Sequence, residues 1–123
     1  LKPDVRDQTA SCQTISAMLS RIGDKWSALV VTYLGQGPMR FSALRREIGN
    51  ISQKMLTTTL RNLERDGLVA RVVTPSRPPR VDYALTDLGR ELLGPIDTLV
   101  RWTVENTARI NAARARYDAE NGG

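Results

Sequence analysis

The sequence predicts a mainly α chain with one small β-hairpin, an α+β class, and three observations carry that expectation. Apolar residues recur at helical spacing through most of the chain up to residue 66, and again after residue 87. Between these stretches the period changes. LVARVVT is rich in β-branched residues and VDYALT alternates, so both read as short strands. Glycine and proline punctuate the boundaries: Gly49-Asn50 between two helical stretches, and PSRPPR between the two strands.

Taken in order, residues 1–11 (LKPDVRDQTAS) are polar, carry a proline and are expected to form a flexible arm. Cys12 follows, then Ile15, Met18, Leu19 and Ile22 on one face of a short amphipathic helix ending near Gly23. Asp24 is placed to cap the next helix, whose stripe is Trp26, Leu29, Val30, Tyr33 and Leu34; Gly35, Gly37 and Pro38 end it. Met39 to Phe41 fit a very short strand. Ser42 is expected to start a helix that turns Leu44 and Ile48 inward.

After the Gly49-Asn50 turn a second helix opens at Ser52, whose hydroxyl suits an N-cap, and stops at Gly67, a favoured residue at helix ends. At about 100° per residue, Leu56, Leu60 and Leu63 share one side of it. Lys54, Thr57, Thr58, Arg61 and Arg65 share the other: three cations, two hydroxyls and no acid among those five. That is a face suited to DNA. Two short strands joined by a proline-stiffened loop, with Arg77 and Arg80 flanking its prolines, then describe a wing.

Thr86 and Asp87 open a last helical region with a long apolar stripe: Leu88, Leu92, Leu93, Ile96, Leu99, Val100, Trp102, Val104 and Ile110. A break is expected around Gly94-Pro95. The polar, alanine-rich tail RINAARARYDAENGG is expected to fray. The stripe is more apolar surface than one small domain needs. With the helix around Ile15 to Ile22 it predicts a homodimer interface. The order α-α-(α-α)-β-β-α is a winged helix-turn-helix with N- and C-terminal dimerisation helices, one domain over 12–120 behind the arm at 1–11.

Composition narrows the function. The 123 residues are 41% hydrophobic and 25% charged, ordinary for a globular chain. No apolar run approaches the roughly 18 residues of a membrane span, and no signal-peptide pattern opens the chain, so no membrane partner is expected. The sequence begins at Leu1, so a start upstream of it is expected. A single cysteine suits a reducing compartment, and a cytoplasmic protein is expected. The net charge of +5 is concentrated: residues 40–80 carry +6 and the rest of the chain −1. A basic segment on a nearly neutral body is the footprint of a nucleic-acid binder. With no histidine, one cysteine and no glycine-rich phosphate loop, the chain offers no nucleophile with its base and no metal-ligand cluster. Neither an enzyme nor a cofactor is expected.

Several strings then resemble a known family. They are Ile22-Gly23-Asp24-Lys25-Trp26, Gly37-Pro38-Met39-Arg40-Phe41-Ser42, Leu44-Arg45-Arg46, Ile51-Ser52-Gln53-Lys54-Met55-Leu56-Thr57, Leu63-Glu64-Arg65-Asp66-Gly67-Leu68 and Pro78-Pro79-Arg80-Val81-Asp82-Tyr83. Leu85-Thr86 and Leu88-Gly89 follow. Over roughly residues 12–102 the chain resembles the HxlR-type winged helix regulators, a bacterial group related to the MarR repressors. The resemblance implies a homodimeric transcription regulator, more commonly a repressor, that binds operator DNA near its target promoters. It also implies a role for Cys12, because some members use a cysteine just before the first helix to sense oxidants or electrophiles. The proline that usually follows is replaced here by Gln13. A thiol at a helix N-terminus can gain reactivity, and the alternative is that Cys12 is a small residue packed at an interface. With one cysteine, any disulfide is intermolecular, to a second subunit or a small thiol, and a Cys12–Cys12 bridge needs Cα atoms within about 7 Å.

These readings combine into an expected mechanism. A two-fold dimer sets two recognition helices in successive major grooves about 34 Å apart, on double-stranded operator DNA with an inverted repeat. Gln53, Lys54, Thr57, Thr58 and Arg61 meet base edges or adjacent phosphates. Gln53 suits adenine and Lys54 suits guanine O6 or N7. Arg65 meets phosphate, Arg77 and Arg80 enter or flank the minor groove, and Arg40, Arg45 and Arg46 are backbone clamps or salt-bridge partners. Two alternatives stand beside this. One is control by a non-covalent small-molecule effector between the DNA-binding and dimer helices. The other is a winged helix protein-interaction module without specific DNA binding.

Overall fold

A computed structural model describes residues 10–122 of the chain. In order these form α1 (Ala10–Gly23), α2 (Lys25–Leu34), α3 (Phe41–Ile48), α4 (Gln53–Arg65), β1 (Val69–Thr74), β2 (Arg80–Leu85), α5 (Asp87–Glu91) and α6 (Leu93–Glu120). The arm expected at 1–11 lies outside the described residues except for Ala10 and Ser11, which already belong to α1. The chain divides into two compact units, one ending at Leu93 and the other opening at Gly94.

The core of the first unit follows the apolar stripes. Val30, Val31 and Leu34 of α2, Leu44 of α3, and Leu56, Leu60 and Leu63 of α4 are all buried, each 1% exposed or less. Ile51, Leu68, Val69 and Leu85 join them. Each such side chain stabilises the fold by about 1.5–3 kcal/mol relative to exposure. Three leucines at spacings of four and three therefore fix which way α4 turns its polar face.

The helix ends are chemically specified. The Asp24 carboxylate accepts from the Trp26 N–H at 3.2 Å and from the Ser27 hydroxyl at 2.8 Å, capping α2. The Ser52 hydroxyl accepts from the Met55 N–H at 3.0 Å, a cap contributing about 1 kcal/mol. At its other end α4 closes with two bonds, Gly67 N–H to the Glu64 carbonyl and Leu68 N–H to the Leu63 carbonyl. This pattern needs a left-handed residue at its turn, and Gly67 supplies it at φ +78°. Buried Leu63 and Leu68 complete the motif.

β1 and β2 pair antiparallel from Val69↔Leu85 to Thr74↔Arg80. Met39 and Tyr83 exchange both backbone bonds, at 2.9 and 2.8 Å, so β2 lies between Met39 and β1. The strand expected at Met39 to Phe41 is thus one bridged residue. α3 begins at Phe41, not Ser42, with Arg40 at its N-cap.

Two expectations at the C-terminal end are corrected. The helical break falls at Leu92, and α6 runs through Gly94-Pro95. Pro95 is the third residue of α6, where a helix has no internal partner for the N–H that proline lacks, so it interrupts nothing. The tail is helical to Glu120, not frayed. Its alanines and arginines are among the strongest helix formers, which outweighs the lack of an apolar stripe.

The second unit is the length of α6 from Gly94. Val100 and Trp102 are 54% exposed and Val104 is 69% exposed, with Leu99 beside them. Among the described residues, no helix is long and apolar enough to cross a membrane.

Candidate nucleic-acid interface

The turn between α3 and α4 is held from within. Gly49 adopts φ +93°, a conformation that side-chain-bearing residues rarely take, and its N–H donates to the Arg45 carbonyl. The Arg45 Nε donates to the Ile51 carbonyl at 3.2 Å, across the same turn. Ile51 is buried and Ser52 caps α4 directly after it. The angle at which α4 leaves α3 is therefore set by a glycine, a guanidinium and one core side chain.

Lys54, Thr58, Arg61 and Arg65 stand exposed along α4, opposite its buried leucines, and Gln53 is exposed at its first position. Thr57 differs from them. It is half-buried, and its hydroxyl donates to the Gln53 carbonyl at 2.9 Å, so only its oxygen lone pairs remain for a ligand. Beside the start of α4, the residues Phe41, Ser42, Arg45, Arg46, Gly49 and Gln53 line one open depression. The helix-turn-helix thus places Arg45 and Arg46 next to Gln53, the first residue of α4.

The hairpin loop stands next to this surface. Arg40, Phe41 and Ser42 at the start of α3 line a second depression together with Arg77, Pro78, Pro79, Arg80 and Val81. The two loop arginines are not equivalent. Arg80 donates to Asp82 at 2.9 Å, so part of its charge is compensated on its own strand. No ion pair engages Arg77 among the described residues. Arg77 and Arg40 together make the more strongly basic edge.

Two features were not singled out by sequence reasoning. Arg71 of β1 lines a third depression with Arg61, Glu64 and Arg65 of α4. The signal was present in the period-two pattern, which puts Arg71 on the same hairpin face as buried Val69. The other is the Arg21–Asp66 bridge at 2.5 Å, with both side chains mostly covered (22% and 14% exposed). It ties α1 to the C-cap of α4, and no local pattern connects residues 45 apart. Cys12 lies in the first turn of α1 and is half-buried.

Comparison with known proteins fits this arrangement. Residues 21–111 match the model of the HxlR-like helix-turn-helix family. A protein of Methanothermobacter thermautotrophicus described as an uncharacterized HTH-type transcriptional regulator is 42% identical over 99 residues, covering 80% of this chain and 75% of that protein. Among solved structures, the redox regulator HypR in its reduced form is 35% identical with a TM-score of 0.73, over 80% of this chain and 98% of that one. The diamide-treated form of YodB from B. subtilis is 33% identical with a TM-score of 0.69, over 79% of this chain and 96% of that one.

Proposed function

The chain belongs to the HxlR-like helix-turn-helix family of transcription regulators, and from that premise we propose that it is a homodimeric repressor that reads an inverted-repeat operator and is released by modification of Cys12. The observation that carries the reading is α4. Four exposed polar or cationic side chains, Lys54, Thr58, Arg61 and Arg65, run along one side, and a leucine face locks the other into the core.

In this account Gln53 and Lys54 enter the major groove first and hydrogen-bond base edges, Gln53 to adenine and Lys54 to guanine. Thr58 and Arg61 meet the next bases or phosphates, while Thr57 serves as an acceptor only. Arg65 and Arg46 clamp phosphates. Arg77, with Arg40 behind it, holds the flanking minor groove, and Arg80 contributes less because Asp82 shares its charge. Arg45 acts through the turn it braces.

Dimerisation is supported by the exposed apolar side chains of α6 and by Leu19 of α1, 60% exposed. A second copy covering them would set the separation of the two recognition helices near 34 Å. Cys12 lies on α1, and the relative HypR is a redox regulator. An oxidant or electrophile acting on that thiol would change the spacing of the recognition helices and release the DNA.

One experiment tests both parts. Genomic fragments bound by reduced and oxidant-treated protein are mapped for the wild type and for Cys12→Ser. The expected fragments share an inverted repeat with half-sites about 10 base pairs apart, centre to centre. Oxidant is expected to abolish their recovery for the wild type and not for Cys12→Ser. Fragments with no common repeat would refute operator reading, and equal release of both proteins would refute the Cys12 switch.

A further inference from the structure

We propose that Arg71, Arg61 and Arg65 together seat one backbone phosphate of the bound duplex, at a point distinct from the wing tip. The inference rests on the reading of this chain as a DNA binder and adds a contact which that reading does not contain.

Three observations carry it. First, the three arginines and Glu64 line one open depression. Three cations face a single acid, yet among the described residues no ion pair joins Glu64 to any of them. The surplus positive charge is left uncompensated in the unbound chain. Second, Arg61 and Arg65 are one helical turn apart, where like charges repel. An anion between them turns that repulsion into shared attraction. Third, Arg71 is anchored independently of α4. It stands opposite Tyr83 in the β1–β2 ladder, on the strand edge away from Met39, and on the face that continues from buried Val69. The α4 arginines and the β1 arginine therefore approach the depression from two separate elements, as needed to grip a phosphate from two sides. Guanidinium groups suit the task because their planar fork matches two phosphate oxygens.

The position identifies which phosphate. Arg40 and Arg77 sit where the wing loop meets the start of α3. The Arg61–Arg65–Arg71 depression lies along the last turns of α4, beside the hairpin's base. With α4 in the major groove, the first set meets the backbone near the flanking minor groove. The second meets the backbone bordering the far end of the recognition helix. Glu64 opposes the anion and limits how tightly the seat holds it.

The test uses full-length Arg71→Ala, Arg71→Lys, Glu64→Gln and Arg77→Ala, with thermal unfolding to verify each fold. Fluorescence anisotropy follows binding to a genomic fragment recovered by the wild type and to its scrambled counterpart, at salt concentrations from 50 to 200 mM. Loss of Arg71 from the seat removes up to about 0.9 per subunit, so up to about 1.8 for the dimer, from the magnitude of the log–log salt slope, and weakens binding across the salt series. Arg71→Ala is expected to show this on both duplexes. Arg71→Lys is expected to keep the slope, and Glu64→Gln to bind both duplexes more tightly. Arg71→Ala or Arg71→Lys with a weakened fragment preference but an unchanged slope would overturn the seat. So would wild-type affinity and slope for Arg71→Ala while Arg77→Ala binds weakly, although operator reading would then stand. A wild type that ignores both duplexes would remove operator reading and the seat together.

Discussion

Raising the salt concentration from 50 to 200 mM is expected to weaken operator binding by about three to five decades, for roughly 6–10 neutralised phosphates. The magnitude follows from which cations are available. Arg40, Arg46, Lys54, Arg61, Arg65 and Arg77 are exposed, and none is engaged in an ion pair among the described residues. Arg45 and Arg80 carry the same formal charge but already donate to the Ile51 carbonyl and to Asp82. In a dimer the available cations occur twice, so even partial engagement reaches the lower end of that phosphate count. Anisotropy titrations across the salt series measure the slope directly. An affinity that does not change over this range would mean that the basic segment is not the DNA surface.

Gly89→Ala is expected to destabilise the first unit severely, at or above the upper end of the roughly 1–3 kcal/mol typical of overpacking. A Cβ on Gly89 would lie 2.0 Å from the Leu68 carbonyl oxygen and 3.2 Å from Leu85 Cδ2. The carbonyl cannot move aside cheaply, because it accepts the Thr86 N–H at 3.0 Å. Thr86 is held in turn, its hydroxyl donating to the Gly67 carbonyl and accepting from the Gly89 N–H. The clash therefore falls where the end of α4, the base of the hairpin and α5 are stitched together. A fall in Tm of at least about 10 °C is expected, read by calorimetry. Gly94→Ala is the contrasting case, five residues on. Apart from its two chain neighbours, nothing lies within 4 Å of its added Cβ; the helix-propensity gain is opposed by the restriction Pro95 places on the residue before it, so the change is expected to stay within about 1 kcal/mol. Equal effects at the two positions would contradict the packing described.

The contrast between these glycines also shows what was legible in the sequence. Helix α4 was, because Leu56, Leu60 and Leu63 repeat at its period, Ser52 caps it and Gly67 ends it. Those signals are local. The hairpin was legible from alternation and the prolines of its loop. The end of the chain was misread because Pro95 breaks a helix only beyond its first turn, and the sequence alone does not say where that turn begins. The need for glycine at position 89 arises from Leu68, 21 residues earlier, and no local pattern records such an approach. The same holds for the Arg21–Asp66 bridge and for Arg71, whose neighbours on α4 are brought to it by the fold. Within the candidate interface, the residue types were legible. Which arginines were already engaged was not: Arg45 and Arg80 look identical to Arg46 and Arg77 until their partners are placed.

In the proposed complex α4 reads the sequence of the DNA while the wing grips its backbone. This division of roles is tested most directly by selecting bound fragments from a random duplex pool with the wild type, Lys54→Ala and Arg77→Ala. Lys54→Ala is expected to relax or change the preferred base at one position in each half-site. The discrimination lost corresponds to about 1–3 kcal/mol, the contribution of one good base contact. Arg77→Ala is expected to recover the wild-type consensus with uniformly weaker binding. An unchanged consensus for Lys54→Ala, with sequence preference lost in Arg77→Ala alone, would contradict the assignment of α4 as the reading helix.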